Sequence, residues 1–406
     1  MRRALSHVGG QVQTRGDPSI APALATAFGG ELSAEDARQH VHGFHSYPAR
    51  LHPTVARRAV ELFAPSGGVV LDPFCGSGTV LVEARLAARQ AWGADINPLA
   101  ILLAGLKCRG ATPDELDRMV RAARAVARHA EARRTARAVA TRRYPEADTE
   151  QFEPHVLLEL DGLRDGIERG PAGFARDALW LVLSSLLTKL SKRAGDTGSV
   201  QEKPRRLAAG FAAKLLVRKA EELADRIADF GVRLPPSPPP YLVETQDARS
   251  LSCFPDASVD LVVSSPPYPG NYDYMAHHRT RLRWLGLDER PLADHELGAR
   301  RRVDPSRPGD AVQAFARDLG EALRAIHRVL RPEARALIII ADSVVATRAV
   351  RAEPLVLSAA ERGGLSWIAT ASQARPHFHR ESAGAFQGAP RAEHAILLRR
   401  RDDRRP

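Results

Sequence analysis

The chain has few cysteines, lysines and aromatic residues. Of its 406 residues only three are cysteine, six are lysine and 5% are aromatic. Because Cys75, Cys108 and Cys253 are widely spaced and form no Cys-x-x-Cys pair, a disulfide framework and a zinc knuckle are disfavoured. We expect three reduced, mostly buried thiols and no metal site.

Long apolar runs are also missing. No stretch of 18 apolar residues occurs, so no membrane span is expected. The polar sequence after Met1 lacks the apolar core of a signal peptide, which predicts a cytoplasmic protein. A hydrophobic content of 44% and a charged content of 26% are ordinary for a soluble globular protein.

The charge is strongly positive. The formal net charge is +11, and nearly all of the 59 positive residues are arginine. This balance is compatible with a polyanionic partner such as nucleic acid. A GC-rich genome also yields chains rich in arginine, so the charge supports a nucleic-acid partner without establishing one.

The pattern of apolar residues predicts an α/β fold with a mostly parallel sheet. A first unit is expected from a helix at 53–63, a strand at 67–72, a tight turn at 76–78, a helix at 79–89 and a strand at 91–96. Five further strands are expected at 241–246, 259–264, 336–341, 365–372 and 393–399, and a helix at 311–330. The predicted sheet thus has seven strands, the last pair antiparallel.

The strand signals are interrupted by a helical stretch. Helical periodicity predicts helices near 113–139, 149–168, 174–193 and 204–230, followed by a proline-rich linker at 235–240. The predicted organisation is a flexible segment at 1–40, one half of the sheet domain at 41–111, a helical insertion with its linker at 112–240, and the other half at 241–406.

The first predicted strand leads into residues 71–79, Leu-Asp-Pro-Phe-Cys-Gly-Ser-Gly-Thr. A Gly-x-Gly turn between a strand and a helix lets a nucleotide-like cofactor approach the backbone amides. Because Leu81 replaces the third glycine of Gly-x-Gly-x-x-Gly, a dinucleotide site is disfavoured. A nucleotide-triphosphate loop is disfavoured too, since no Gly-Lys-Ser/Thr follows.

Two acidic residues follow neighbouring strands. Asp95 is expected to accept hydrogen bonds from ribose hydroxyls, with capping of the helix at Pro98 as the alternative. Asp247 is placed either to accept from an adenine amine or to form a turn.

A second motif lies about 190 residues after the first. The apolar run 259–263 leads into Ser265-Pro266-Pro267-Tyr268. Methyl transfer to the amine of a nucleobase requires acceptors for both amine hydrogens, because the nitrogen lone pair is conjugated into the ring. The Ser265 hydroxyl and the Pro266 carbonyl can supply them, Pro267 stiffens the turn, and Tyr268 can stack on an extruded base. The alternative is a plain Pro-Pro turn.

Two other base chemistries are disfavoured. Methylation of carbon 5 of cytosine needs a nucleophilic cysteine, usually after a proline, and none of the three cysteines follows one. A zinc-dependent base deaminase needs clustered His and Cys ligands, which the sequence does not show.

At these two motifs the chain resembles the S-adenosylmethionine-dependent amino-group DNA methyltransferases. Asp72, Phe74, Gly76 and Gly78 match the cofactor loop of that family, residues 265–268 match its catalytic motif, and the Ser-Pro-Pro-Tyr form resembles the cytosine-N4 branch. The resemblance covers 41–107, 241–280 and 311–400. Residues 44–53, with His45, Tyr47 and His52, are similar to the stretch that touches the methionine end of the cofactor, although all three could be plain packing residues.

The resemblance implies a Rossmann-like seven-stranded methyltransferase sheet with S-adenosyl-L-methionine as cofactor. It implies double-stranded DNA with a flipped base as partner, and a cognate restriction endonuclease where the enzyme serves a restriction-modification system. The implied catalytic residues are Ser265, Pro266, Pro267 and Tyr268. The implied cofactor-binding residues are Tyr47, Asp72, Phe74, Gly76, Gly78, Thr79, Asp95, Asn97 and Asp247.

The order of the motifs leaves alternatives open. In the cytosine-N4 branch the catalytic motif generally comes first, whereas here the cofactor loop does, so adenine-N6 methylation stays open. RNA guanine-N2 methyltransferases share this order but usually have Asp at the first motif position. A catalytically inactive nucleic-acid-binding module on the same fold is a third alternative.

Several segments are candidates for contacting DNA. Residues 271–308 are polar and rich in arginine, and are predicted to form a loop with short helices over the site. The candidate basic and aromatic residues are Arg142, Arg143 and Tyr144; Lys203, Arg205 and Arg206; His277, His278, Arg279, Arg281, Arg283 and Trp284; and Arg300, Arg301 and Arg302. Candidates for a base pocket are Asn271, Tyr272, Asp273 and Tyr274. Phosphate contact is the functional interpretation of the basic residues, and a solvated surface is the alternative.

Overall fold

A computed structural model describes residues 11–30, 32–193, 207–377, 380–387 and 389–401. The strands are β1 (Gln13–Gly16), β2 (Val69–Asp72), β3 (Gln90–Asp95), β4 (Tyr241–Thr245), β5 (Val259–Ser264), β6 (Leu330–Ala341), β7 (Ser343–Val345), β8 (Arg348–Val350), β9 (Leu365–Arg375) and β10 (Arg391–Arg400). The α-helices are α1 (Ala21–Phe28), α2 (Pro53–Phe63), α3 (Thr79–Leu86), α4 (Pro98–Arg109), α5 (Pro113–Thr135), α6 (Glu146–Gln151), α7 (Pro154–Glu168), α8 (Phe174–Leu190), α9 (Phe211–Arg233), α10 (Tyr274–Leu285), α11 (Arg290–His295), α12 (Pro308–Val329), α13 (Ala352–Arg362) and α14 (Arg380–Ala385). Short 3-10 turns lie at Asp36–Arg38, His40–Gly43 and Arg300–Arg302.

The central sheet has eight strands in the order β1-β9-β10-β6-β5-β2-β3-β4. Strands β2 to β6 pair in parallel, β10 is antiparallel to β6 and β9, and β1 is antiparallel to β9. When β1 is left out and the other seven strands of this sheet are numbered 1 to 7 in chain order, their order across the sheet is 3-2-1-4-5-7-6. The direction of winding reverses between β2 and β5. The α/β prediction of a seven-stranded methyltransferase sheet with an antiparallel last pair is therefore confirmed.

Two apolar layers cover the sheet. Side chains alternate along each strand, so Val70, Leu261 and Val263 join one hydrophobic cluster, whereas Leu71 and Val262 join the other. Because β2 and β5 are buried on both faces, they are nearly continuous apolar runs in the sequence. Their carboxyl ends lie at the switch point of the sheet, where ligands bind in folds of this kind.

Residues 112–240, which we interpret as the helical insertion, contain helices α5 to α9. Helices α5, α7, α8 and α9 pack on one another, and a capping box of Thr112 and Glu115 fixes the start of α5. The last helix of the insertion begins at Phe211 rather than at 204. The basic residues Lys203, Arg205 and Arg206 lie outside the described residues. None of the described helices is long and apolar enough to span a membrane.

The N-terminal segment differs from the prediction. Loose order was expected for residues 1–40, but β1 pairs with β9, and α1 buries Leu24, Ala27 and Phe28. All four residues of β1 are exposed, so this strand has no apolar alternation and is stabilised by backbone pairing at the sheet edge. Helix α13 and the β7–β8 hairpin were also not predicted as separate elements, whereas α4 begins at Pro98, where the sequence placed a helix start.

Gly78 lets the start of α3 lie close to α4, so we expect its substitution to lower the free energy of unfolding. Its φ is +84°, and a Cβ there would lie 2.9 Å from the Ala104 Cα of α4. Gly67, with φ +69°, has nothing within 4 Å of its would-be Cβ and serves as the matched control. We expect Gly67→Ala to lower the free energy of unfolding by about 1–2 kcal/mol through the backbone alone. Gly78→Ala should cost about 1–3 kcal/mol more.

Denaturant titration of both variants measures this difference. Equal losses of stability for Gly67→Ala and Gly78→Ala would show that the contact with Ala104 is not the reason for glycine at position 78.

Candidate active site

The two sequence motifs meet at the carboxyl ends of β2 and β5. These strands are neighbours, with Leu71 opposite Val262. Beyond that pair, the buried Ser264 hydroxyl donates a hydrogen bond to Asp72 Oδ1 at 2.6 Å. This hydrogen bond fixes the ends of β2 and β5 beside each other. The Gly76 turn and Ser265, which follow these two ends, line the same pocket.

Ten of the thirteen predicted site residues line this pocket. They are Tyr47, Asp72, Phe74, Gly76, Thr79, Asp95, Asn97, Asp247, Ser265 and Pro267. The other three, Gly78, Pro266 and Tyr268, are not among the lining residues. Gly78 was expected to admit the cofactor, but its nearest neighbour is α4, so its glycine serves helix packing.

Asp95 ties the Gly76 turn to the end of β3. The Gly76 amide donates to Asp95 Oδ2 at 2.9 Å, and the Asn97 amide donates to Asp95 Oδ1 at 2.9 Å. Burial raises the pKa of Asp95 to about 6. The alternative that Asp95 caps α4 is wrong, because Asn97 Oδ1 accepts the cap hydrogen bond from the Leu99 amide.

Tyr47 lies against the glycine turn. A Cβ on Gly76, which has φ +49°, would lie 3.1 Å from Tyr47 Cε1. The Tyr47 hydroxyl accepts a hydrogen bond from Asn97 Nδ2 at 3.2 Å, and its ring stacks on buried His278 with centroids 4.8 Å apart. Glycine at position 76 thus leaves room for the aromatic wall of the pocket.

The two histidines near Tyr47 have packing roles. His45 hydrogen-bonds to the Ser46 carbonyl and to Ser184, and His52 Nδ1 caps α2 by accepting from the Thr54 amide. Neither lines the pocket. The alternative of plain packing therefore holds for His45 and His52, while Tyr47 is placed at the site.

Asp247 lies in the pocket wall but has a local partner. Its carboxylate accepts from the Arg249 side chain at 2.6 Å and from the Arg249 amide at 2.9 Å. Its carbonyl accepts from the Ser250 and Leu251 amides. This geometry favours the turn-forming alternative for Asp247 over recognition of an adenine amine.

Ser77 offers a polar atom to a ligand. It lines the pocket and is 2% exposed, and its hydroxyl has no hydrogen-bond partner within the described ranges. A buried hydroxyl left without a partner is unfavourable, so a polar ligand atom at this position would stabilise it.

A lid covers the pocket, as the sequence predicted for residues 271–308. It is built from α10, α11 and the turn at Arg300–Arg302, and it contributes Tyr274, Leu292 and Glu296 to the lining. Glu296 is 3% exposed and accepts from the Tyr274 amide at 2.7 Å. Glu296 was not predicted, because it is one of six acidic residues between 271 and 308 and belongs to no motif.

Tyr268 is held by a hydrogen bond to β10, which lies two strands away from β5 in the sheet. Its hydroxyl donates to Glu393 of β10 at 3.2 Å, and Glu393 pairs with Arg375 of β9. Burial raises the pKa of the Tyr268 hydroxyl, so it remains a neutral donor. The structure thus fixes Tyr268 through β10 and keeps it out of the pocket lining.

Most of the candidate DNA-contacting residues are used inside the protein. Arg142 lies over the rings of Tyr144 and Trp284, Arg283 pairs with Asp148, and the buried Arg281 donates to Thr188 and Ser46. Arg301 pairs with Asp273 and Glu296. The contacts of Arg142, Arg281 and Arg283 join α10 to the insertion, whereas those of Arg301 lie within residues 271–308. Arg143, Arg279 and Arg300 remain as exposed candidates.

Comparisons with known proteins support part of the sequence prediction. Residues 30–104 match a family model described as DNA methylase (N6_N4_Mtase). The chain is 24% identical to Type II methyltransferase M.MvaI of Kocuria varians over 62% of this chain and 59% of that protein, so it spans less than two thirds of that relative. Over 15% of this chain it is 44% identical to 18% of a tRNA (guanine(10)-N2)-dimethyltransferase of Methanothermobacter thermautotrophicus.

Among solved structures, TrmN from Thermus thermophilus aligns with a TM-score of 0.34 and 13% identity, over 86% of this chain and 49% of that chain. A similarity at that level does not bear on function. The family match and the Type II relative support an amino-group DNA methyltransferase. They do not distinguish cytosine N4 from adenine N6 as the target.

Burial of Asp72 predicts a pH effect on stability. Burial raises the pKa of this carboxyl to about 7, against the hydrogen bonds from Ser264 and Phe74. The folded state therefore holds a proton that the unfolded state has lost, and stability should fall as the pH rises from about 4 to about 7. Because an asparagine side chain does not ionise, Asp72→Asn should gain thermal midpoint relative to the wild type as the pH rises through this window.

Differential scanning calorimetry of both ligand-free proteins at several pH values checks this expectation. A midpoint difference that does not change with pH would contradict the raised pKa.

Proposed function

We propose that this chain is an S-adenosylmethionine-dependent DNA methyltransferase that acts on the exocyclic N4 amine of cytosine. The observation that carries the proposal is the placement of the Gly76 turn and Ser265 in one pocket, linked beneath by the Ser264–Asp72 hydrogen bond. A donor cofactor and an acceptor base can meet only where these two elements are adjacent.

The pocket residues fit this cofactor. Asp95 is a half-buried acceptor at the end of β3, where ribose hydroxyls are expected, and the Ser77 hydroxyl is free to bind a polar group. Ile96, Leu292 and Leu297 provide apolar wall for an adenine ring. When bound, S-adenosylmethionine supplies a methyl group on a sulfonium sulfur, which leaves as a neutral thioether.

The residues after β5 orient the amine. Ser265 is half-buried at the pocket, and the two prolines that follow it restrict the backbone of the turn. The Ser265 hydroxyl and the Pro266 carbonyl accept the two amine hydrogens, so the nitrogen lone pair is directed at the donor. The amine loses one proton to solvent as it gains the methyl group.

The first position of the motif favours cytosine. Serine there, rather than Asp or Asn, resembles the cytosine-N4 branch, and this resemblance supports cytosine over adenine. The tRNA guanine-N2 relative matches only a short part of the chain. A cognate endonuclease is proposed as a partner because the curated relative M.MvaI is a Type II methyltransferase.

The proposal is tested by expressing the gene in a host that lacks DNA methylation and reading modified bases by single-molecule sequencing. We expect N4-methylcytosine at one short recurring sequence. The Ser265→Ala variant, expressed at the same level, should leave the genome unmodified.

Other outcomes have defined meanings. N6-methyladenine at a recurring sequence would overturn the choice of cytosine and keep methyl transfer to a DNA amine. An unmodified genome, together with methylation of host transfer RNA, would overturn DNA as the substrate.

A further inference from the structure

Three side chains of metal-binding type meet outside the candidate active site. His40 and His42 come from the turn His40–Gly43, and Glu83 comes from α3. All three are buried, and one ligand atom from each lies within 4.8 Å of the others. Two imidazoles and one carboxylate are a donor set that binds zinc and other divalent transition metals.

The hydrogen bonds of the cluster leave donor atoms unused. His42 Nε2 and Glu83 Oε1 are 2.7 Å apart. The Nδ1 atoms of His40 and His42 are buried and have no hydrogen-bond partner in the part of the chain that the structure describes. A buried polar atom left alone costs about 1–3 kcal/mol, so a ligand that contacts His40 Nδ1 would stabilise the cluster, whereas His42 would bind through Nε2 and keep its Nδ1 unpaired.

The distances fit a metal ion after a small adjustment. Ligand atoms on one tetrahedral zinc ion lie about 3.3 Å apart, because each Zn–N bond is about 2.0–2.1 Å long. The His42–Glu83 contact would open by about half an ångström. His40, the third ligand, would move toward the other two.

A cavity of about 160 Å³ adjoins the cluster. His40 and Glu83 line it together with the acidic and polar residues Asp36, Thr54 and Glu61 and with two basic residues, Arg57 and Arg233. One water needs about 30 Å³, so the cavity can hold a water as the fourth ligand and gives an ion a path inward.

Two cations argue against a metal ion at this place: Arg50, whose guanidinium donates to the His42 carbonyl, and Lys107. Lys107 is buried close enough to influence His42, and its Nζ atom has no hydrogen-bond partner among the residues described. A protonated lysine would repel a divalent ion. Burial lowers the pKa of Lys107 well below its ordinary range, which favours the neutral amine, while Arg50 stays charged.

We propose that His40, His42 and Glu83 bind one zinc ion, or a similar divalent transition-metal ion, as a structural site. The ion would fasten the turn His40–Gly43 to α3, the helix that follows the Gly76 turn. Tyr47, four residues after Gly43, would be braced by the same link. No metal site was predicted from the sequence, because the cysteines form no ligand pair and Glu83 lies 41 residues beyond His42.

The test uses untagged full-length protein stripped with a chelator and titrated with zinc sulfate against a chromophoric zinc indicator. The variants are His42→Gln and Glu83→Gln. His129→Gln is the matched control, because His129 Nε2 lies 2.7 Å from Asp165 Oδ2 without being part of a three-ligand cluster among the described residues. Cobalt(II) absorption of the wild-type protein gives a second measurement that needs no variant.

We expect the wild type and His129→Gln to bind one equivalent of zinc and to gain thermal stability from it. His42→Gln and Glu83→Gln should bind zinc at least about 10-fold more weakly. Cobalt(II) should give the visible bands of a tetrahedral site in the wild type.

A wild-type protein that binds no zinc and gives no cobalt bands would overturn the site, even if a variant fails to fold. Zinc binding of unchanged affinity in folded Glu83→Gln or His42→Gln would overturn it as well. None of these measurements depends on methyl transfer, so the result is separate from that of the proposed function.

Discussion

Replacing Ser265 with alanine is expected to lower the rate of methyl transfer to DNA by about 100-fold or more, with little change in cofactor affinity. In the proposed function the hydroxyl accepts one amine hydrogen in the transition state, and removing one such preorganised hydrogen bond typically costs about 10²–10³-fold in rate. Single-turnover assays with labelled cofactor measure the rate, and calorimetry measures the affinity.

The matched control is Ser366→Ala. Ser366 is half-buried like Ser265, but it lies on β9, and its hydroxyl donates to the Arg399 carbonyl. This variant should transfer methyl groups at the wild-type rate. A Ser265→Ala protein that also retained the wild-type rate would remove Ser265 from the chemistry.

The second large effect is expected at Asp95. Asp95→Asn keeps the size of the side chain but removes the charge that accepts from the Gly76 and Asn97 amides and faces the proposed ribose position. Hydrogen bonds to charged groups are worth about 1.5–3 kcal/mol, so the dissociation constant for S-adenosylmethionine should rise about 10- to 100-fold. Isothermal titration calorimetry gives this value directly.

Asp260→Asn serves as the control for Asp95→Asn. Asp260 also accepts a backbone hydrogen bond, from the Val69 amide at 2.8 Å, but this contact lies at the amino end of β2, away from the pocket. We expect this variant to alter stability and leave cofactor affinity unchanged. If Asp95→Asn bound the cofactor as tightly as Asp260→Asn does, the ribose role of Asp95 would be untenable.

The part of the fold that sequence predicts best is its buried core. Strand β5 was predicted with its observed ends, and α2 likewise, because both are bounded by turn or proline signals and bury a clear apolar pattern. Strand β1 was missed because its stability comes from pairing with β9, which is more than 350 residues away in sequence. Local patterns carry no information about such a partner.

In the candidate site, too, local motifs were predicted and long-range contacts were not. The glycine turn and the Ser-Pro-Pro-Tyr turn each consist of consecutive residues, and the sequence predicted both at the ends of strands. Glu296 and the Tyr268–Glu393–Arg375 contacts were not predicted, since each is created by long-range packing. For Asp247 the sequence could not separate adenine recognition from turn formation, because its salt bridge with Arg249 depends on a turn whose geometry the sequence does not reveal.

The roles of the basic residues also depend on long-range contacts. Sequence could not separate arginines that bind DNA from arginines that hold the insertion to the lid. The contacts of Arg281 and Arg283 now assign these two residues to packing. Arg143, Arg279 and Arg300 become the better targets for testing phosphate contact by the salt dependence of binding.

The most direct test of the central claim uses the purified protein, unmodified DNA and S-adenosylmethionine that carries a deuterated methyl group. Nucleosides from the digested DNA are then identified by mass spectrometry. The account predicts deoxycytidine labelled on N4, absent when Ser265→Ala replaces the wild type. Label on carbon 5 of cytosine, or no label in any nucleoside, would contradict a pocket in which Ser265 presents an amine to the cofactor.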